Sequence, residues 1–125
     1  MPLRCLEPDQ DKTRCTIRWS QGLIYGGHKV GLEFAISTKL DTLLHEAGFT
    51  NVENHWQDWP IGSWAKGDKN KAIGKLWAED LQHVSRSTSA MFTRVLDWTE
   101  AGYSDFADQV SEEIRAGGQH MWGEM

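Results

Sequence analysis

Long apolar runs are absent from this 125-residue chain. A helix that spans a bilayer needs roughly twenty consecutive apolar residues, and no stretch approaches that, so no membrane partner is expected. The first fifteen residues, MPLRCLEPDQDKTRC, are polar and contain no apolar signal core. Cytoplasmic or nuclear localisation is the expectation. Cysteine is scarce, with two residues, Cys5 and Cys15. They read as free thiols, since a bridge between them needs an oxidising compartment for which nothing speaks. Basic residues are outnumbered, 13 against 18 acidic, for a net charge of −5, and they form no stripe. Phosphate binding is dominated by Lys and Arg, so nucleic acid is not expected either. None of the five histidines and two cysteines has the H-x3-H or C-x2-C spacing of a metal site, and no metal is expected.

What is present is aromatic weight. Seven tryptophans are many for this length. Trp buries a large area and usually needs a partner for its N–H, so a core is implied. The length suits one domain. Residues 1–18 have no apolar period and read as a loose arm, with order starting near TIRW at Thr16–Trp19. The segment WSQGLIYGGHKVG follows. Its Gly22, Gly26, Gly27 and Gly31 do not form G-x-G-x-x-G and follow no apolar strand, so a glycine-punctuated helix or loop fits better than a phosphate cradle.

In ISTKLDTLLHEAG, Ile36, Leu40, Leu43, Leu44 and Ala47 fall on one helical face. Ser37 or Thr38 is placed to cap its start and Gly48 to end it. FTNVENHWQDW, residues 49–59, reads as a strand with partial alternation, closed by Pro60. Residues 69–84 read as a helix with an apolar stripe of Ala72, Ile73, Leu76, Trp77, Leu81 and Val84. SRSTS at 85–89 interrupts it because hydroxyl side chains compete for backbone bonds, and the pattern resumes at Met91, Phe92, Val95 and Leu96. Thr99 is a natural N-cap for a last helix carrying Tyr103, Phe106, Ala107, Val110 and Ile114. Gly117 and Gly118 stop it, and QHMWGEM can begin a strand. One or two strands cannot stand alone as a sheet. Either the helices carry the domain or the chain is a piece of a larger sheet.

Four motifs in fixed order now matter: L-x-x-A-G-F-x-x-V (Leu44, Ala47, Gly48, Phe49, Val52), P-I-G-x-W (Pro60, Ile61, Gly62, Trp64), an Ile73-Gly74 pair, and T-R-V-L-x-W (Thr93, Arg94, Val95, Leu96, Trp98). From about Trp19 to Trp122 the chain resembles the C-terminal part of a fungal family of S-adenosylmethionine-dependent methyltransferases, the family that includes the velvet-complex regulator of secondary metabolism. The resemblance implies an α/β, Rossmann-like class I methyltransferase fold with a helical insertion. Here it would be an incomplete, mostly helical part, with residues 19–125 as a partial methyltransferase domain. The family's cofactor site lies in its N-terminal half, at the carboxyl ends of strands where strand order switches. This sequence has no D-x-G-x-G after an apolar strand. The resemblance therefore implies a transferase segment that does not bind S-adenosylmethionine by itself and has no independent activity.

No general base or catalytic residue can be assigned, and neither cysteine has an ordered base beside it. The best substrate-binding candidates are Trp59, Pro60, Ile61 and Trp64, in the turn before the insertion on the acceptor side. They could line an apolar acceptor or flank a sulfonium. The plainer reading, and the favoured one, is that the same two tryptophans, Trp59 and Trp64, pack the insertion onto the sheet. Three functional classes stay open: a methyltransferase segment with an unknown acceptor, a non-catalytic helical module that binds a protein partner, and a small helical binding domain unrelated to methyl transfer.

Overall fold

The computed structural model describes residues 3–5, 14–117 and 120–124. The rest of the arm, residues 1–2 and 6–13, lies outside the described residues, as does Gly118. Within the arm Leu3–Cys5 forms strand β1, where the sequence suggested a loop. Three residues become a strand only through their partner, and that partner is at the far end of the chain. β3, Met121–Glu124, is the central strand. It pairs antiparallel with β1 (Leu3 opposite Gly123) and with β2, Asp58–Pro60 (Trp59 opposite Gly123). The tail that could begin a strand is thus the middle of a three-stranded sheet.

The expected strand over residues 49–59 is corrected to its last part. Only Asp58–Pro60 is paired. β3 as described is four residues long, and Asn51 takes a positive φ of 58° that breaks an extended run. Pro60 closes the strand as expected. Both ladders are antiparallel, so the described residues alone do not form the parallel neighbours of a doubly wound sheet. Their architecture is mostly helical, with a small antiparallel sheet.

Helix α1, Cys15–Lys29, runs through the glycine-rich segment. The glycines serve packing. A Cβ on Gly22 would lie 2.6 Å from the Phe92 ring, and one on Gly26 2.7 Å from Met91 Sδ. The α1 backbone thus sits directly on the residues that follow the third helix. Helix α2, Leu40–Glu46, is preceded by a 3-10 turn at Ile36–Lys39. Neither Ser37 nor Thr38 caps it; the Thr38 hydroxyl instead donates back to Ala35 O at 2.8 Å. Gly48 ends it with φ +92°, as a C′ glycine should. The apolar face of this segment is not covered: Ile36, Leu40, Leu43 and Phe49 are exposed.

Helix α3, Asp68–Ser87, packs on α4 and β2. Its buried face is Gly74, Trp77, Ala78, Leu81 and Ser85, rotated from the expected stripe, and Leu76 is 67% exposed. The expected end at 84 is corrected, since α3 runs on through the first three residues of SRSTS to Ser87. The hydroxyls there bond backward, Ser85 to Gln82 O and Ser87 and Thr88 to Val84 O. A π-helical turn, Met91–Val95, follows. Helix α4, Glu100–Arg115, starts where Thr99 Oγ1 accepts the Gly102 N–H at 3.1 Å, and all five expected core residues are buried.

The core lies between the helices and one sheet face. Phe92, Ile17, Ile61, Ile114, Met121 and Val110 are fully buried. Each large apolar side chain so placed contributes about 1.5–3 kcal/mol. One set of interior polar atoms is linked: Trp19 Nε1 donates to Thr88 Oγ1 at 3.1 Å, the Tyr103 hydroxyl lies 3.1 Å from Thr88 Oγ1, and that hydroxyl donates to Ser85 O. Burial pushes the Tyr103 phenol up, and its bond to Thr88 opposes that in part. No described helix is long and apolar enough to cross a membrane.

Candidate functional site

β2 delivers the chain into the turn Trp59–Trp64, and β3 holds that turn from below. Met121 O accepts two donors, the Ile61 N–H at 2.9 Å and Trp64 Nε1 at 3.2 Å. The Gly62 N–H donates to Gly74 O at 2.9 Å, tying the turn to α3. Gly62 has φ +87°, a conformation glycine adopts without strain. The turn is therefore clamped by main-chain bonds on two elements, which makes it rigid enough to position side chains.

The four predicted residues divide by role. Ile61 has no exposed surface and Pro60 is buried; both are core. Trp59 is half-buried, edge-on to Trp77 with ring centroids 6.1 Å apart. Its indole N–H is buried without a partner. Trp64 is half-buried, edge-on to His120 at 5.1 Å. Pro60, Trp64, Asp58, Ala65, Asn70 and Trp122 line a shallow groove of about 200 Å³. Asp58 is its one titratable side chain. Such a groove can hold a flat apolar group against indole faces. Among its lining residues there is no nucleophile with an adjacent base.

The titratable residues elsewhere do not converge. Among the described residues no group of three or more His, Cys, Asp and Glu is placed to hold a metal. His28 pairs with Glu33, His45 with Asp41 and His55 with Glu53, each locally. Lys39 donates to Glu33 and, with the Ala35 N–H, holds its carboxyl below the usual range. The Cys15 thiol lies 3.6 Å from Gln109 Oε1. Burial and the Glu113 carboxylate push it up against the pull of Arg18. A thiol held up in this way is a poor nucleophile. Glu113 itself acts on structure: it accepts the Thr16 N–H at 2.7 Å and the Thr16 hydroxyl at 2.6 Å, capping the N-terminus of α1 from α4.

Reading the sequence did not single out a second groove, of about 280 Å³, between α1 and the aromatic residues at 92–106. The signal was present once 15–29 is taken as one helix, since Arg18, Gly22, Tyr25 and Lys29 share a face.

The described fold is a helical layer on a small antiparallel sheet. Compared with known proteins, the chain is similar to fungal methyltransferases. It is 30% identical over 105 residues to the probable methyltransferase tdiE of Emericella nidulans, covering 82% of this chain and 33% of that protein. To the methyltransferase pytC of Aspergillus terreus it is 31% identical over 97 residues, covering 77% of this chain and 30% of that protein. The chain thus spans about a third of the length of the curated relatives it matches. No family model and no solved structure matches it.

Proposed function

We propose that this chain is the acceptor-side segment of an S-adenosylmethionine-dependent methyltransferase. On this reading residues 19–125 form a partial methyltransferase domain, the C-terminal region of a Rossmann-like fold of the kind found in the velvet-regulator family. The observation that carries it is the likeness to two fungal methyltransferases over most of this chain and about a third of theirs. The clamped Trp59–Trp64 turn supports it. Ile61 holds the turn from behind, Trp59 packs against Trp77, and Trp64 with Trp122 forms the wall against which an acceptor lies. The acceptor is a small molecule or a protein side chain.

The residues present do not fit the methyl donor. Gly22 and Gly26 are filled by Phe92 and Met91, and Gly27 by Phe34. No backbone cradle is left there for a cofactor, and no catalytic step is assigned to this chain. Isothermal titration with S-adenosylmethionine tests the reading. No saturable heat is expected from the chain alone, and one-to-one binding overturns the acceptor-side assignment. Mixing the chain with the donor-side two thirds of a relative such as pytC should give a stoichiometric complex by sedimentation.

A second reading is favoured by one observation. Val30, Leu32, Phe34, Ile36, Leu40, Leu43 and Phe49 are all exposed within twenty residues of sequence. Such a concentration of uncovered apolar side chains suits a non-catalytic module that docks on a protein partner. No complex with the donor-side fragment, together with binding to another protein through this face, decides for it.

A further inference from the structure

We propose that the groove between α1, the π-helical turn and α4 is a binding site for a small planar aromatic carboxylate. Arg18, Gly22, Tyr25 and Lys29 come from α1; Phe92, Trp98 and Phe106 face them. The floor is aromatic because Gly22 has no side chain: a Cβ there would meet Phe92 Cε1 at 2.6 Å, so the ring reaches the helix backbone. Trp98 and Phe106 form the far wall, with ring centroids 5.2 Å apart. Phe92 and Phe106 are themselves buried, so a flat ring entering the groove stacks on the exposed Tyr25 and the half-buried Trp98.

The charges decide the class of ligand. Arg18 Cζ lies 5.5 Å from the Phe106 ring centroid, and Lys29 Nζ lies 5.4 Å from that of Tyr25. Four other cations pair with carboxylates: Arg14, Lys39, Arg86 and Arg115. Arg18 and Lys29 take part in no ion pair among the described residues, and no Asp or Glu lines the groove. A guanidinium over a ring keeps its edge N–H groups pointing outward, in the fork that matches a carboxylate. In a chain of net charge −5, a groove with two cations and no acid is selective for an anion. Its volume of about 280 Å³ limits the ligand to one or two fused rings. The larger cleft beside Tyr103 is less suited, because its cation, Arg86, is already held by Asp108.

This site is separate from the Trp59–Trp64 turn, and its test does not depend on the methyl-transfer reading. The probe is 2-naphthoate, titrated calorimetrically into the whole chain at low salt, with neutral 2-naphthamide alongside. We expect one site with a Kd on the order of 0.1–1 mM, and at least about fivefold weaker binding of the amide. Arg18→Ala and Lys29→Ala should each weaken naphthoate about tenfold with unchanged melting temperature, since both side chains are exposed. Arg18→Lys should recover part of the loss, and Asp58→Asn, at the other groove, should change nothing. Equal affinity for acid and amide, parental affinity in either alanine variant, no saturation to about 10 mM, or tighter binding of a single-stranded oligonucleotide than of naphthoate would each overturn the proposal.

Discussion

Replacing Gly74 with alanine puts the architecture of the Trp59–Trp64 turn to a direct test. In an exposed helix interior this change stabilises by up to about 1 kcal/mol, because alanine costs less backbone entropy. Here the surroundings reverse the sign. A Cβ on Gly74 would sit 2.0 Å from Gly62 O, 2.9 Å from Gly62 C and 3.2 Å from Pro60 O. All three are backbone atoms of the turn, so no side chain can swing away. Relief requires α3 and the turn to separate, which breaks the Gly62 N–H bond to Gly74 O and lifts Ile61 from full burial. Overpacking of this kind costs about 3 kcal/mol at the upper end of its usual range, and the lost bond adds about 1 kcal/mol. After the propensity gain, a net loss of about 3 kcal/mol remains. For a chain of this size that lowers the melting temperature by roughly 10 °C. Thermal and urea denaturation followed by circular dichroism measure it, with Lys75→Ala on the exposed face as the neutral reference. A Gly74→Ala protein as stable as the parent, or more so, would refute the close approach of α3 to the turn and with it the clamp proposed to position Trp59 and Trp64.

Three further outcomes are expected. Glu113→Gln keeps an acceptor near Thr16 but removes the negative charge from the start of α1, and should lower stability by about 1–2 kcal/mol in urea titration; an unchanged midpoint would mean that α1 needs no cap. The Tyr103 phenol is pushed above its ordinary pKa in the folded chain. Its contribution is therefore complete below pH 10, the unfolded value, and is lost as pH rises through the folded one. Stability should fall above about pH 10, and the part of that fall due to this residue should vanish in Tyr103→Phe. Amide exchange should separate α2 from α4. Leu40–Glu46 has no buried residue, whereas α4 buries six, so α2 amides should exchange orders of magnitude faster; equal protection would show that α2 is covered in solution.

The elements that could be read from sequence are those specified by their own residues. α4 is the clearest case: Thr99 caps it locally, and its apolar face needs no knowledge of what it meets. The SRSTS stretch located the end of α3 only roughly: Ser85 and Ser87 bond back within the helix, which stops at Ser87 with Thr88 after it. The α3 stripe was only half legible, because the face it buries is chosen by its partner. The approach of the turn at Gly74 demands a small residue there, which turns Leu76 outward. Strands were hardest. β1 exists only through pairing with β3, and the run at 49–57 has the composition of a strand but no neighbour to pair with among the described residues. Of the candidate site, the turn and its tryptophans were visible as an unusual concentration of aromatic, proline and glycine residues. The burial of Pro60 and Ile61 was not, since it follows from the two donors that converge on Met121 O. The groove at Arg18 and Lys29 was hidden because the glycines between them suggested a loop, and only the helix aligns the cations on one side.

The distribution of burial bears on whether this is a piece of a larger sheet. If the described residues formed a self-sufficient fold, exposed apolar side chains would be scattered singly, as on most soluble surfaces. Instead they concentrate between Val30 and Phe49, while α1, α3, α4 and the sheet close on a common core of Phe92, Ile17, Ile61 and Val110. The chain is therefore complete in one part and uncovered in another. That pattern includes the shared core of a unit expected to melt cooperatively. It is nonetheless unlike a finished domain, because α2 has the apolar periodicity of a core helix without a core to enter. The relatives carry about twice as much additional chain, and under the acceptor-side proposal both features have one cause: the closed core is internally satisfied, and the helix before it faces a surface that the rest of such an enzyme would supply.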